Sequence, residues 1–233
     1  MHTPPDLALA ARYALLATLC ALIPVPFLDT FAENRVRRAL VRQIAARHDT
    51  TLPPEAVRVV ADLPSGGCWG MLKAALWWPI KKLLRTIAMV FLVKGLADAA
   101  SEVMHRALMV HHALGSGLLP EEAPRVRAAM DRALEHVDTR IVERAFFGRL
   151  RNPRGEFNRL VYAAARHPVV TEHDAATGTM GPEATRLSEA MAAAVSTTGL
   201  VPEVMHWFVL ELEQVREGDD DAGPVRVADP GEQ

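Results

Sequence analysis

At 233 residues the chain is long enough for one sizeable hydrophobic core, with half its residues hydrophobic, 6 % aromatic and a formal charge of −2. Two cysteines exclude a disulfide framework, and the near absence of period-2 alternation, with alanine, leucine, valine and arginine abundant, excludes an extensive sheet. The chain therefore reads as all-α: a multi-helix bundle around one long central helix at about 79–114, forming a single helical domain over 1–216, with a disordered acidic tail over 217–233.

Residues 7–23 predict a first helix whose only charge is Arg12. Sixteen uncharged residues run from Tyr13 to Leu28, but Pro24 and Pro26 stop the helix near Ile23. The uncharged helical part is then roughly 16 Å long, too short for a hydrocarbon core of about 30 Å, so it predicts a core helix or half of a shallow hairpin. Cys20 within it reads as a small core residue. A secretory signal is disfavoured, because the opening Met-His-Thr-Pro-Pro-Asp has no basic side chain and no small-residue cleavage site follows. With no compartment signal, the default location is the cytoplasm.

Asp29 is a suitable N-cap for a second helix ending near His48. Arg35, Arg38 and Arg42 share one face of it and Val36, Leu40 and Ile44 another. That pattern suits a solvated basic face over a buried stripe, or a contact with phosphate. Pro53-Pro54-Glu55 opens a short third helix that stops at Pro64-Ser-Gly-Gly, a loop without the spacing of a nucleotide-binding glycine loop.

The opening through residue 48 carries a family likeness. Ala21-Leu-Ile-Pro-Val-Pro-Phe-Leu-Asp29, followed by an arginine-rich helix ending Ile44-Ala-Ala-Arg-His48, resembles the uncharacterised helical domain appended to some bacterial membrane-associated GTPases. EcsC-like proteins have a similar opening. The resemblance, over about residues 10–48, implies an all-helical bacterial protein associated with the inner membrane and with no assigned reaction. It brings no catalytic residues, and this chain carries no GTPase domain.

The stretch from Trp77 to Leu114 is the longest element. Pro79 suits the first position of a helix, and nothing breaks the pattern before Gly115. Lys81, Lys82 and Arg85 fall on one side of it, Lys94, Asp98, Ser101, Glu102, His105 and His112 on the other, with an apolar run from Ile87 to Val93 between. All four lysines of the chain (Lys73, Lys81, Lys82, Lys94) and three of its four tryptophans (Trp69, Trp77, Trp78) cluster here. Indoles favour headgroup depth and lysine stems snorkel, so Lys73, Trp77, Trp78, Lys81, Lys82 and Arg85 form a candidate anchor on an anionic membrane surface, with Arg35, Arg38 and Arg42 contributing. The competing reading is a buried central helix that changes neighbours halfway.

Charge is distributed unevenly: residues 1–114 hold 13 Lys/Arg against 8 Asp/Glu and residues 115–233 hold 13 against 20. The N-terminal half is thus the one suited to anionic partners. Beyond the central helix, Pro120 opens an amphipathic helix to about Val137, and residues 138–166 hold seven arginines around Phe146-Phe147, aromatics that on helices belong to a core more often than to a nucleic-acid surface. Residues 167–182 predict a linker, and two last helices follow at about 183–197 and 201–216. Six acids from Glu217 onward, without apolar periodicity, predict disorder.

One constellation has chemical appeal. Glu102-Val-Met-His105 and Glu203-Val-Met-His206 repeat a Glu-x-x-His spacing that places a carboxylate and an imidazole on one helix face, as in di-iron helical bundles. Glu33 and Glu135 or Glu143 could supply further carboxylates. His111-His112, near the end of the central helix, read as dipole-complementing or solvated. No cofactor is called for, and no serine or cysteine has the context of a nucleophile elbow.

Three functions follow. The first is a non-enzymatic helical protein peripheral to the cytoplasmic face of a membrane. The second is an interaction module that binds a protein partner or forms a homo-oligomer. The third is a metal-dependent bundle enzyme using Glu102, His105, Glu203 and His206. Nucleic acid is not expected as a partner.

Overall fold

The computed structural model describes residues 5–20, 28–63, 88–138, 140–142, 144, 155 and 177–221. Its helices are α1 (Leu7–Cys20), α2 (Leu28–Arg47), α3 (Pro54–Ala61), α4 (Ala88–Gly115), α5 (Ala123–His136), α6 (Pro182–Val195) and α7 (Leu200–Asp221), and no strand occurs among the described residues. The fold is all-α.

The centre is shared between two helices. In α1, ten of 14 residues are buried, from Leu9 round to Cys20, and the helix packs against α2, α4 and α6. A helix apolar on every face is stable only when it is covered on every face. It is a core helix, and Cys20 is sealed within it, its thiol pushed up to about 12 chiefly by burial. Asp6 caps the first turn, its Oδ1 accepting from the Leu9 amide at 2.8 Å, and its carboxylate pairs with Arg47 at the end of α2.

The long helix α4 packs against α1, α2, α5 and α7, with Val103, Met104, Ala107, Leu108 and Met109 buried. Its described part spans 28 residues, roughly 42 Å. The expected beginning at 79–87 lies outside the described residues. At the other end the chain is turned by Gly117, at φ 69°, with the Leu118 amide donating to the Ala113 carbonyl and the Gly117 amide to that of Leu114. This is a Schellman cap. The same motif ends α2, with Asp49 in the left-handed region at φ 52° and the Thr50 amide donating to the Ala45 carbonyl.

Other boundaries shift by a few residues. Asp29 lies in the first turn of α2 rather than ahead of it. The last helix runs to Asp221, past the expected end at 216, because its docked face continues to Val215 and each further residue needs only one more backbone bond. Ahead of α6, Gly178 at φ 67° lets the chain lie on α1: a Cβ there would meet Arg12 and Tyr13 side-chain atoms at 3.1 Å.

Candidate functional site

Four helices are joined by alternating charges. On α2, Arg37 is buried and donates through Nε and Nη2 to Glu33 Oε1 at 3.0 and 2.7 Å, and through Nη1 to Glu102 Oε1 on α4 at 3.2 Å. The same Glu102 oxygen accepts from Arg106 Nε at 2.8 Å, and Arg106 Nη2 reaches Asp131 Oδ1 on α5 at 2.6 Å. Asp131 Oδ2 accepts from Arg127 Nε at 2.7 Å, and Arg127 Nη1 donates to the backbone carbonyls of Asp62 and, at 3.3 Å, Val59 at the end of α3. The Asp62 carboxylate is in turn held by Arg38, whose Nε donates to Oδ1 at 2.6 Å. Arg38 follows Arg37 in the chain, so the circuit closes on α2.

Four arginines and four acids make up this ring, and each carboxylate faces a guanidinium. Glu102 and Asp131 sit below the ordinary carboxylate range: burial pushes them up, but the guanidiniums of Arg37 and Arg106 on Glu102, and of Arg127 and Arg106 on Asp131, together outweigh it. Asp62 also raises Arg38 further above its already high range. Beside the ring lies a cavity of about 20 Å³, room for one water, walled by Leu40, Val41, Ile44, Val60, Val103 and Val110 with Arg37 and Arg106 at its edge.

The ring engages part of the basic face of α2. Arg38 is spent on Asp62 and Arg35 is only half-exposed, whereas Arg42 is exposed. The apolar stripe of Val36, Leu40 and Ile44 is buried as expected. Arg37, the arginine that matters most to packing, gave no sign of its role: its partner Glu102 is 65 positions away.

The ring also takes up part of the candidate bundle-metal set. Glu102 is clamped between two arginines, and His206 is exposed with its ring edge-on to Trp207 at 5.4 Å between centroids. Glu33, a candidate further carboxylate, is bound to Arg37. Among the described residues no three histidine, cysteine, aspartate or glutamate side chains are grouped as a metal-ligand set.

Of the other two members of that set, Glu203 is half-buried and His105 has an environment of its own. It is fully buried, and its Nδ1 lies 2.5 Å from the Ser101 carbonyl, which assigns the proton to Nδ1 and the lone pair to Nε2. Nε2 is buried with no hydrogen-bond partner. Burial lowers the ring's basicity, opposed by the Ser101 carbonyl and by the charges of Glu203, Glu102 and Asp138. The two Glu-x-x-His motifs thus approach crosswise, with the imidazole of one in electrostatic reach of the carboxylate of the other, but as two residues rather than four.

His48 and His111 form a further pair that the sequence kept apart. His48 Nε2 and His111 Nδ1 are 2.9 Å apart, with ring centroids at 4.5 Å. His112 turns the other way, edge-on to Phe208 of α7. On α7, Trp207 is stacked by His136 at 4.7 Å, and His136 Nε2 lies 3.5 Å from the buried carboxylate of Glu211.

The predicted membrane anchor, Lys73, Trp77, Trp78, Lys81, Lys82 and Arg85, lies outside the described residues. No described helix is long and apolar enough to cross a membrane. Comparison of the chain with protein-family models, with curated proteins and with solved structures finds no match.

Proposed function

We propose that this is a non-enzymatic bacterial helical protein that associates peripherally with an anionic membrane surface on its cytoplasmic side. The observation that carries the reading is the concentration of all four lysines and three of four tryptophans between Trp69 and Lys94. Among the described residues, seven arginines are answered within the fold: Arg37, Arg38, Arg106 and Arg127 in the ring, Arg47 by Asp6, Arg125 by Glu122 and Arg144 by Asp138. A surface for phosphate is therefore best sought where the lysines are, with the exposed Arg42 as a further contact. The likeness of residues 10–48 to the helical domain of membrane-associated GTPases and to EcsC-like proteins leans the same way.

Each basic residue near an anionic surface contributes about 1 kcal/mol, so Lys73, Lys81, Lys82 and Arg85 together suffice for salt-sensitive binding. Flotation of the full chain with vesicles tests this. The protein should float with phosphatidylglycerol-containing vesicles and stay behind with phosphatidylcholine alone, and a Lys81→Glu/Lys82→Glu variant should lose the difference. Equal recovery in the soluble fraction with both lipids would overturn the proposal. An oligomer by sedimentation without lipid would then favour the interaction module.

A further inference from the structure

We infer that His48 and His111 form a two-imidazole site for a transition-metal cation of the zinc, nickel or copper class, clipping the end of α2 to the end of α4. The pair comes from two helix ends that are themselves fixed. His48 is the C-cap residue of α2, held by its own amide bond to the Ala45 carbonyl at 3.0 Å and by the Schellman turn at Asp49 and Thr50. His111 occupies the penultimate turn of α4, whose end is fixed by the second Schellman turn at Gly117. The His48 ring lies over that end: a Cβ on Gly115 would meet His48 Cε1 at 3.6 Å, an ordinary contact.

The geometry of the two nitrogens suits a shared cation. At 2.9 Å they are joined by a single proton, so one of them directs a lone pair into the gap. Two nitrogens bound to one tetrahedral ion at about 2.0–2.1 Å lie roughly 3.3 Å apart. A few tenths of an ångström of opening, with the ring that carries the bridging proton exchanging it through solvent for one on its other nitrogen, frees both lone pairs and converts the hydrogen bond into a chelate. Both rings are half-exposed, so an ion can enter and water can complete its coordination.

The surrounding field favours positive charge in the gap. Both helices direct their carbonyl ends to this corner, equivalent to about half a negative charge each, and the carboxylate of Asp49 adds another. Yet the charge is resisted on the ring itself, since burial and the neighbouring imidazole of His111 both lower the basicity of His48. A proton must sit on one nitrogen, whereas a metal ion is shared between two. Imidazole pairs prefer zinc, nickel and copper to magnesium or calcium.

Titration calorimetry of the chelator-treated full chain with zinc chloride tests the site. One equivalent should bind, and His48→Gln and His111→Gln should each weaken it by about tenfold or more, since each removes one of two protein ligands. His206→Gln, at an exposed histidine outside the pair, should leave it unchanged. Nickel should broaden the ring resonances of His48 and His111 ahead of the other seven histidines. Undiminished binding in both single variants, or no binding of zinc by the folded wild-type protein, would overturn the inference. Circular dichroism of each variant separates lost ligation from lost folding.

Discussion

Two polar regions of this core solve the same problem in opposite ways. Around α2 to α5, eight charged side chains, from the buried Arg37 to the half-exposed Asp131, are arranged so that every carboxylate faces an arginine, and only Arg106 Nη1 among their buried atoms is left without a partner. A few residues along α4 from Glu102, His105 is buried with one nitrogen answered and one not. Burial alone does not set the cost of a polar group; whether its lone pairs and protons meet partners weighs as heavily.

That contrast can be broken most forcefully at Arg37. Arg37→Ala leaves Glu33 and Glu102 facing each other with one guanidinium fewer and should cost about 3–5 kcal/mol in urea unfolding. A loss below about 1 kcal/mol would mean the ring is not cooperative. His105→Met sharpens the other side. Removing an unsatisfied buried nitrogen while keeping the volume should be neutral or stabilising, against about 1–3 kcal/mol lost when a buried group is stranded. Strong destabilisation would show that Nε2 has a partner after all.

Acid should separate the two regions by pH. His105 is less basic folded than unfolded, so its contribution is fully present above the unfolded value near 6.5 and is lost as pH falls from there toward the lowered folded value. Glu102 and Asp131 are more acidic folded than unfolded, so theirs is present above the unfolded carboxylate range near 4 and is lost below it. Unfolding free energy followed against pH should therefore decline in two legs, and His105→Met should shrink only the upper one, the remainder of which belongs to His48. The smallest effect belongs to Glu55→Ala, which breaks an exposed pair with Arg58 and should cost under about 0.5 kcal/mol in the same assay.

Much of the architecture was legible in local signals. Proline starts, glycine stops and the apolar faces of α2, α4 and α5 follow from backbone sterics and 3.6-residue periodicity, and Cys20 declared itself by its apolar surroundings. The partners of charged residues did not. Arg35, Arg37 and Arg38 look alike within four positions, and only the arrival of Glu102 on α4 and Asp62 after α3 decides which one turns inward. The Glu-x-x-His repeat misled for the same reason: spacing puts Glu102 on a helix face, but an arginine from another helix decides what that carboxylate does. His48 and His111 are 63 positions apart, and nothing near either one announces the other.

The circuit of charges has a mechanical consequence. Sliding α2 or α4 by a helical turn, about 5.4 Å, would misalign two guanidinium–carboxylate joints at once, and sliding α5 would misalign the Arg106–Asp131 joint together with the bonds from Arg127 to the end of α3. These helices and the end of α3 are therefore keyed like the wards of a lock, and must shift as one block. Any rearrangement on meeting a surface or a partner has to be accommodated by the rest of the chain.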